Sequence, residues 1–317
     1  MTDLEINKWL RRQFSPLGWG LVAYYALMNV VVSVAMTIDI LGQSLHSLAS
    51  GNFLPDIDTA ALMDNGWGYI VANLVALVIL YAWKGPDFCF GEVFARERKM
   101  KPGIFLTLLA MCLGSQLVNS LWMAALEAVM NLFGTSALGI LEEVSGATDS
   151  FSMFLYASIL APVVEELFFR GWILRSLRPY GKRFAILGSA VLFGLFHGNL
   201  LQTPYAFFVG LILGYVTVEY SILWAMGIHL FNNLVLADLL SRLTAHLPEM
   251  TANGITLGIL SAGAVVSVII LLRKRLEIRT YRESEWIDRR CVKCFFLSSG
   301  ILVLMLIMFG NMLLMLG

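Results

Sequence analysis

Ala161-Pro162-Val163-Val164-Glu165-Glu166-Leu167-Phe168-Phe169-Arg170-Gly171 places two carboxylates and a guanidinium inside an otherwise apolar run. A charged side chain near the centre of a bilayer costs about 2.5–3.5 kcal/mol on insertion scales, so it is tolerated where it faces the protein interior or a wet cavity. Glu166 and Arg170 are four residues apart, the spacing at which a carboxylate and a guanidinium meet on one helix face. Glu165 lies about 100° round the helix from Glu166, so one carboxylate can be locked by Arg170 while the other points elsewhere. A free intramembrane carboxylate is a candidate general base.

The rest of the chain supplies the membrane. Of its 317 residues 58% are hydrophobic and only 14% charged, against about a quarter charged in soluble globular proteins. Apolar stretches long enough to approach the bilayer's hydrocarbon thickness lie near 17–40, 67–83, 102–133, 151–174, 184–199, 203–219, 222–244, 254–272 and 294–316. The fold expected is an all-α polytopic membrane protein, a bundle of about eight to nine transmembrane helices around a polar intramembrane cavity. It is read as one transmembrane domain over 1–317, with a catalytic core at 151–244.

Net charge is zero, but its distribution is uneven. Lys8, Arg11 and Arg12 precede the first span; Lys84, Arg96, Arg98, Lys99 and Lys101 follow the second; Arg175, Arg178, Lys182 and Arg183 follow the fourth. Residues 273–293 carry eight Lys or Arg. The segments 41–66 and 134–150 hold no Lys or Arg, only Asp56, Asp58, Asp64, Glu142, Glu143 and Asp149. Nine spans with a cytoplasmic N-terminus put every basic cluster on the inner side, as the positive-inside rule requires. Residues 41–66 then read as an outer loop or interfacial helix. Ser33-Val34-Ala35 has some likeness to a signal-peptidase site, but the run stays apolar beyond it, so the first span is read as uncleaved. Short loops and a compact chain favour a bacterial plasma membrane. Cys291-Val-Lys-Cys294 has the spacing of a redox or zinc pair; without a second pair it reads as two reduced thiols.

Two histidines lie within spans, in Phe193-Gly194-Leu195-Phe196-His197-Gly198-Asn199 and in His229-Leu230-Phe231-Asn232-Asn233. His229 and Asn233 share one helix face by their spacing of four, as do Phe193 and His197. Counted from the cytoplasmic ends, Glu165, His229 and Asn233 lie roughly 10–16 Å deep and His197 roughly 20 Å. Three helices thus bring a carboxylate, two imidazoles and an amide to similar depth.

Glu-Glu-x-x-x-Arg (Glu165, Glu166, Arg170), Phe-x-x-x-His (Phe193, His197) and His-x-x-x-Asn (His229, Asn233), in this order on successive apolar segments, resemble the signature of the CPBP family, also called the Abi or CAAX-protease family. That family includes Ras-converting CAAX endopeptidases and bacterial proteins linked to bacteriocin processing and self-immunity. The resemblance covers about 150–240 and implies intramembrane endopeptidase chemistry. Glu165, assisted by His197, would activate water; His229 and Asn233 would face the tetrahedral oxyanion; Glu166, Arg170 and Phe193 would support the site. The expected partners are membrane lipid and a peptide or protein substrate entering from the membrane or the cytoplasmic side, with no nucleic acid.

A rival mechanism uses the same atoms. Glu165, His197 and His229 are also a His₂Glu set of the kind that holds catalytic Zn²⁺. Nothing like His-Glu-x-x-His occurs, and the family resemblance favours a metal-free glutamate mechanism with no cofactor. The competing class is a catalytically silent polytopic protein, a transporter, proton relay or immunity scaffold that uses the buried charges for conformational work. No internal repeat of the kind found in inverted-repeat transporters is present. Elsewhere, Gln116, Asn119, Glu127 and Asn131 read as interhelical hydrogen bonding, Gly210-Leu-Ile-Leu-Gly214 as a close helix contact, and Glu219 as solvated at the cytoplasmic surface.

Overall fold

A computed structural model of the chain describes residues 2–52, 57–137, 150–285 and 287–315. Among the described residues each apolar stretch above is helical over most of its length, and no strand occurs. The helices are α1 (Asp3–Ala49), α2 (Trp67–Pro86), α3 (Pro102–Asn131), α4 (Phe151–Tyr180), α5 (Lys182–Phe196), α6 (Thr203–Glu219), α7 (Ile222–Thr244) and α8 (Glu249–Arg273). The amphipathic α9 (Arg275–Ser284) leads to α10 (Arg289–Phe296) and α11 (Ser299–Leu314), which meet at 61°. Six of the described helices are long and apolar enough to cross a membrane, or seven if the bent pair α10–α11 counts as one span. The expected count of eight to nine is therefore approximate. The shortfall falls on α5 and α6, which at 15 and 17 residues reach only about 22–26 Å. Gly198 sets the length of α5: at φ +63° it adopts the left-handed conformation that ends helices and that a Cβ disfavours.

The first helix is longer than expected. A capping box, in which Thr2 Oγ1 accepts from the Glu5 N–H and Glu5 from the Thr2 N–H, starts it. It then runs 47 residues without a break at Pro16, about 70 Å, well beyond the hydrocarbon layer. The segment 41–66 is thus mostly not a loop: α1 fills it to Ala49, and Asp58 caps a short helix at Thr59–Met63. Pro55, Asp56, Glu142, Glu143 and Asp149 lie outside the described residues.

The basic clusters converge on one end of the bundle. Arg290 meets Asp3 at 2.7 Å, Arg178 meets Glu97 at 2.7 Å, and Arg183 donates to the carbonyls of Arg282 and Glu285. Arg178 beside it holds the Glu97 carboxyl below the usual carboxylate range, so what this pair adds is present above that range and fades as pH falls through it. Glu219 corrects an expectation. It is 5% exposed rather than solvated, because Arg98, Lys182 and the Tyr281 hydroxyl, from three distant segments, gather on its carboxylate. Cys89, Cys112, Cys291 and Cys294 are free thiols, the last two buried against α1.

Phe14, Leu17 and Leu21 of α1, Phe168, Phe169 and Trp172 of α4, Phe184 and Phe193 of α5 and Phe295 of α10 form one buried cluster. Gly18 and Gly300 let α1 and α11 meet backbone to backbone beside it; a Cβ on Gly300 would fall on the Ser15 carbonyl. Overpacking of a core ordinarily costs about 1–3 kcal/mol, and backbone gives way less readily than side chain. Gly300→Val is therefore expected to lower the thermal unfolding midpoint in detergent micelles by several degrees, whereas Gly310→Val, where a Cβ meets open space, leaves it unchanged.

Candidate active site

The Glu165-Glu166 segment is a six-residue α-helical turn, Ala161–Glu166, set between two π-helical stretches, Leu155–Leu160 and Leu167–Leu174. His229 is one residue from the end of an α-helical segment, and Asn232 and Asn233 lie in a third π-helical stretch, Phe231–Leu239. Such i→i+5 turns are rare and recur at functional sites because they rotate side chains away from the regular helical positions. His197 sits at the C-terminal cap of α5, where the chain leaves the helix at Gly198.

The two carboxylates have different surroundings. Glu166, fully buried, accepts at Oε1 from Arg170 Nη1 at 2.8 Å and lies 2.9 Å from His229 Nδ1. Arg170, also fully buried, reaches the Gly210 carbonyl at 3.4 Å and stacks 4.3 Å over the Phe193 ring. The pairing of Glu166 with Arg170 follows the expected spacing; its second contact, to His229 on α7, does not appear in any local pattern. Glu165 is the accessible member, its side chain 24% exposed, with Oε2 3.7 Å from His229 Nε2. His229 therefore stands between the two, Nδ1 in contact with Glu166 and Nε2 facing Glu165.

His197 Nδ1 lies 2.9 Å from the Phe193 carbonyl. A carbonyl only accepts, so Nδ1 carries a proton, and in the neutral ring it is Nε2 that presents the lone pair. Phe193 links the rings, edge-to-face with His197 at 5.0 Å and with His229 at 5.8 Å between centroids. Asn233 donates from Nδ2 to the Ala157 carbonyl at 3.2 Å and accepts from Asn232 at 3.1 Å. Glu165, Glu166 and Arg170 of α4 thus meet His229 of α7, Phe193 of α5 lies against both imidazoles and Arg170, and Asn233 is tied to α4 through the Ala157 carbonyl.

Sequence reasoning missed two sets of neighbours. Asn232, 5% exposed, is bonded to Tyr205 and Gln116. Tyr24 of α1 donates to the buried Asn73 of α2 at 2.7 Å and stacks on Phe168 and Phe196, walling the site from that side. An aromatic or amide in a long apolar run gives no signal of its own; Asn232 alone had one, its position beside Asn233. Below this wall an apolar cavity of about 160 Å³ lies between Gly20, Tyr24, Leu80, Trp83, Phe168 and Trp172. Gln116 does make the interhelical bond expected of it, and a Cβ on Gly210 would crowd Ala190 of α5 at 3.1 Å, as a close helix contact requires.

Among the described residues no three His, Cys, Asp or Glu side chains converge to hold an ion.

Residues 147–235 match a protein-family model described as type II CAAX prenyl endopeptidase Rce1-like. The matched segment contains Glu165, Glu166, Arg170, Phe193, His197, His229 and Asn233, and it is the CAAX-protease family that their motifs resemble. That description is of a family of peptidases; with its apolar helices the chain itself is a multi-pass membrane protein. No curated protein and no solved structure matches the chain.

Proposed function

We propose that the protein is an intramembrane endopeptidase of CAAX type that hydrolyses a peptide bond in a membrane-associated peptide or protein with a water activated by Glu165. One observation carries the reading: Glu166 is consumed by Arg170 and His229, whereas Glu165 remains accessible beside the free edge of the same imidazole. Amide hydrolysis needs a base for water, a proton for the leaving amine and donors for the oxyanion. Water held by Glu165 and the His197 Nε2 lone pair loses a proton to Glu165 as its oxygen attacks the carbonyl carbon. Glu165 returns that proton to the departing amine. The oxyanion takes a hydrogen bond from Asn233, with the His229 ring beside it on the same helix face. Glu166 accepts the Nδ1 proton of His229 and so orients the ring. The apolar cavity beside Phe168 suits the hydrophobic part of a substrate arriving from the bilayer. The basic end of the bundle and the N-terminus are assigned to the cytoplasm by the positive-inside rule, and the membrane to a bacterial plasma membrane.

The test is hydrolysis by purified, reconstituted protein of a short peptide with a lipid-modified cysteine near its C-terminus and of the same peptide unmodified, with products identified by mass. Cleavage of either by wild type and not by His229→Ala is the result expected. No cleavage by wild type, or equal cleavage by both proteins, would overturn the reading. Activity is also expected to survive exhaustive chelation. A loss that added Zn²⁺ restores would replace the metal-free mechanism with a metal-dependent one.

A further inference from the structure

An amide is useful to an oxyanion only one way round. Held by its nitrogen edge, Asn233 donates; turned over, it presents carbonyl lone pairs to a negative charge. Two contacts set its orientation. Its Oδ1 accepts from Asn232 Nδ2 at 3.1 Å, and its Nδ2 donates to the Ala157 carbonyl at 3.2 Å, which leaves the second N–H for another acceptor.

Asn232 is itself fixed. Its Oδ1 accepts from the Tyr205 hydroxyl of α6 at 2.5 Å and from Gln116 Nε2 of α3 at 3.3 Å. The Ala157 carbonyl only accepts, so Asn233 presents its nitrogen there and its oxygen to Asn232, whose nitrogen therefore faces Asn233 and whose oxygen faces Tyr205 and Gln116. The Ala157 carbonyl is available for a related reason. In the π-helical register the Ala161 N–H bonds to the Tyr156 carbonyl; one residue on, the partner of Ala157 would be residue 162, a proline with no N–H. Asn233 supplies the missing donor.

We propose that Asn232 is a positioning residue that keeps the Asn233 amide donor-side to the reacting carbonyl, and that Tyr205 and Gln116 hold Asn232 in turn. This rests on the reading of Asn233 as an oxyanion donor. Gln116 lies on a helix outside the family-matched segment 147–235, so part of the orientation comes from the chain's own flanking helices.

The test is a double-mutant cycle read in kcat and KM on the reconstituted protein. Asn232→Leu, which fills the space without a donor, is expected to lower kcat about tenfold with KM unchanged, and Tyr205→Phe to lower it a few-fold in the same way. In an Asn233→Ala background neither change should have further effect, because no amide is left to orient. If the losses of Asn232→Leu and Asn233→Ala multiply, or if KM rises with kcat constant, Asn232 serves packing alone and the proposal falls. Should Asn232→Leu fail to fold, the Tyr205→Phe cycle decides by the same criteria, since it removes a single oxygen. Wild-type kcat in Asn233→Ala would instead sink the oxyanion role itself, an outcome separate from additive losses.

Discussion

Glu165→Gln is expected to reduce hydrolysis by about 10²–10⁴-fold, the range that a positioned acid–base group contributes, while leaving the unfolding midpoint unchanged. The amide matches the carboxylate in shape and still holds water, but it cannot take the proton. Stability should be spared because Glu165 is partly exposed and no cation is locked to it; His229 Nε2 stands 3.7 Å away, beyond a direct hydrogen bond. The comparison that gives the result force is Glu166→Gln, one residue along. That change weakens a contact to Arg170 and one to His229, so it should lower both the unfolding midpoint and the rate. Initial rates on a membrane peptide, beside melting curves in micelles, separate the two. Full activity in Glu165→Gln would remove the proposed base, and with it the hydrolytic reading of the site.

The contrast between these neighbours was only half visible in the sequence. Spacing by four gave the Glu166–Arg170 pair, because i,i+4 contacts depend on one helix alone. The placement of His229 between the two carboxylates depends on how α4 and α7 are rotated against each other, and π-helical turns on both shift the side chains off a regular 3.6-residue count. Apolar runs likewise announced α1 to α8 and α11, since burial in lipid acts on composition. The true ends of α1 and the shortness of α5 did not follow, because caps and a positive-φ glycine set them rather than hydropathy. Glu219 was misjudged for a similar reason. Its place at the end of a span suggested water, and the cations that enclose it come from residues 98 and 182, with the Tyr281 phenol, none of them near it in sequence.

The buried pair yields the second large effect, one on stability. Glu166→Leu leaves the Arg170 guanidinium fully buried with the Gly210 carbonyl at 3.4 Å and the Phe193 face as its remaining partners. Breaking a buried ion pair from one side costs about 3–5 kcal/mol, because the survivor's charge stays desolvated and uncompensated. Arg170→Leu should cost less, since Glu166 keeps a donor in His229 Nδ1. In the double variant Glu166→Leu/Arg170→Leu neither charge remains, and replacing both partners by apolar groups is often close to neutral. The double variant should therefore melt above the Glu166→Leu single variant, a coupling that a thermodynamic cycle measures directly. Its hydrolysis should stay as low as that of the single variant, because His229 has lost the acceptor that turns its ring toward Glu165. Restored stability without restored turnover would locate the function of Glu166 in orienting that imidazole; losses that simply add would mean that Glu166 and Arg170 do not depend on each other.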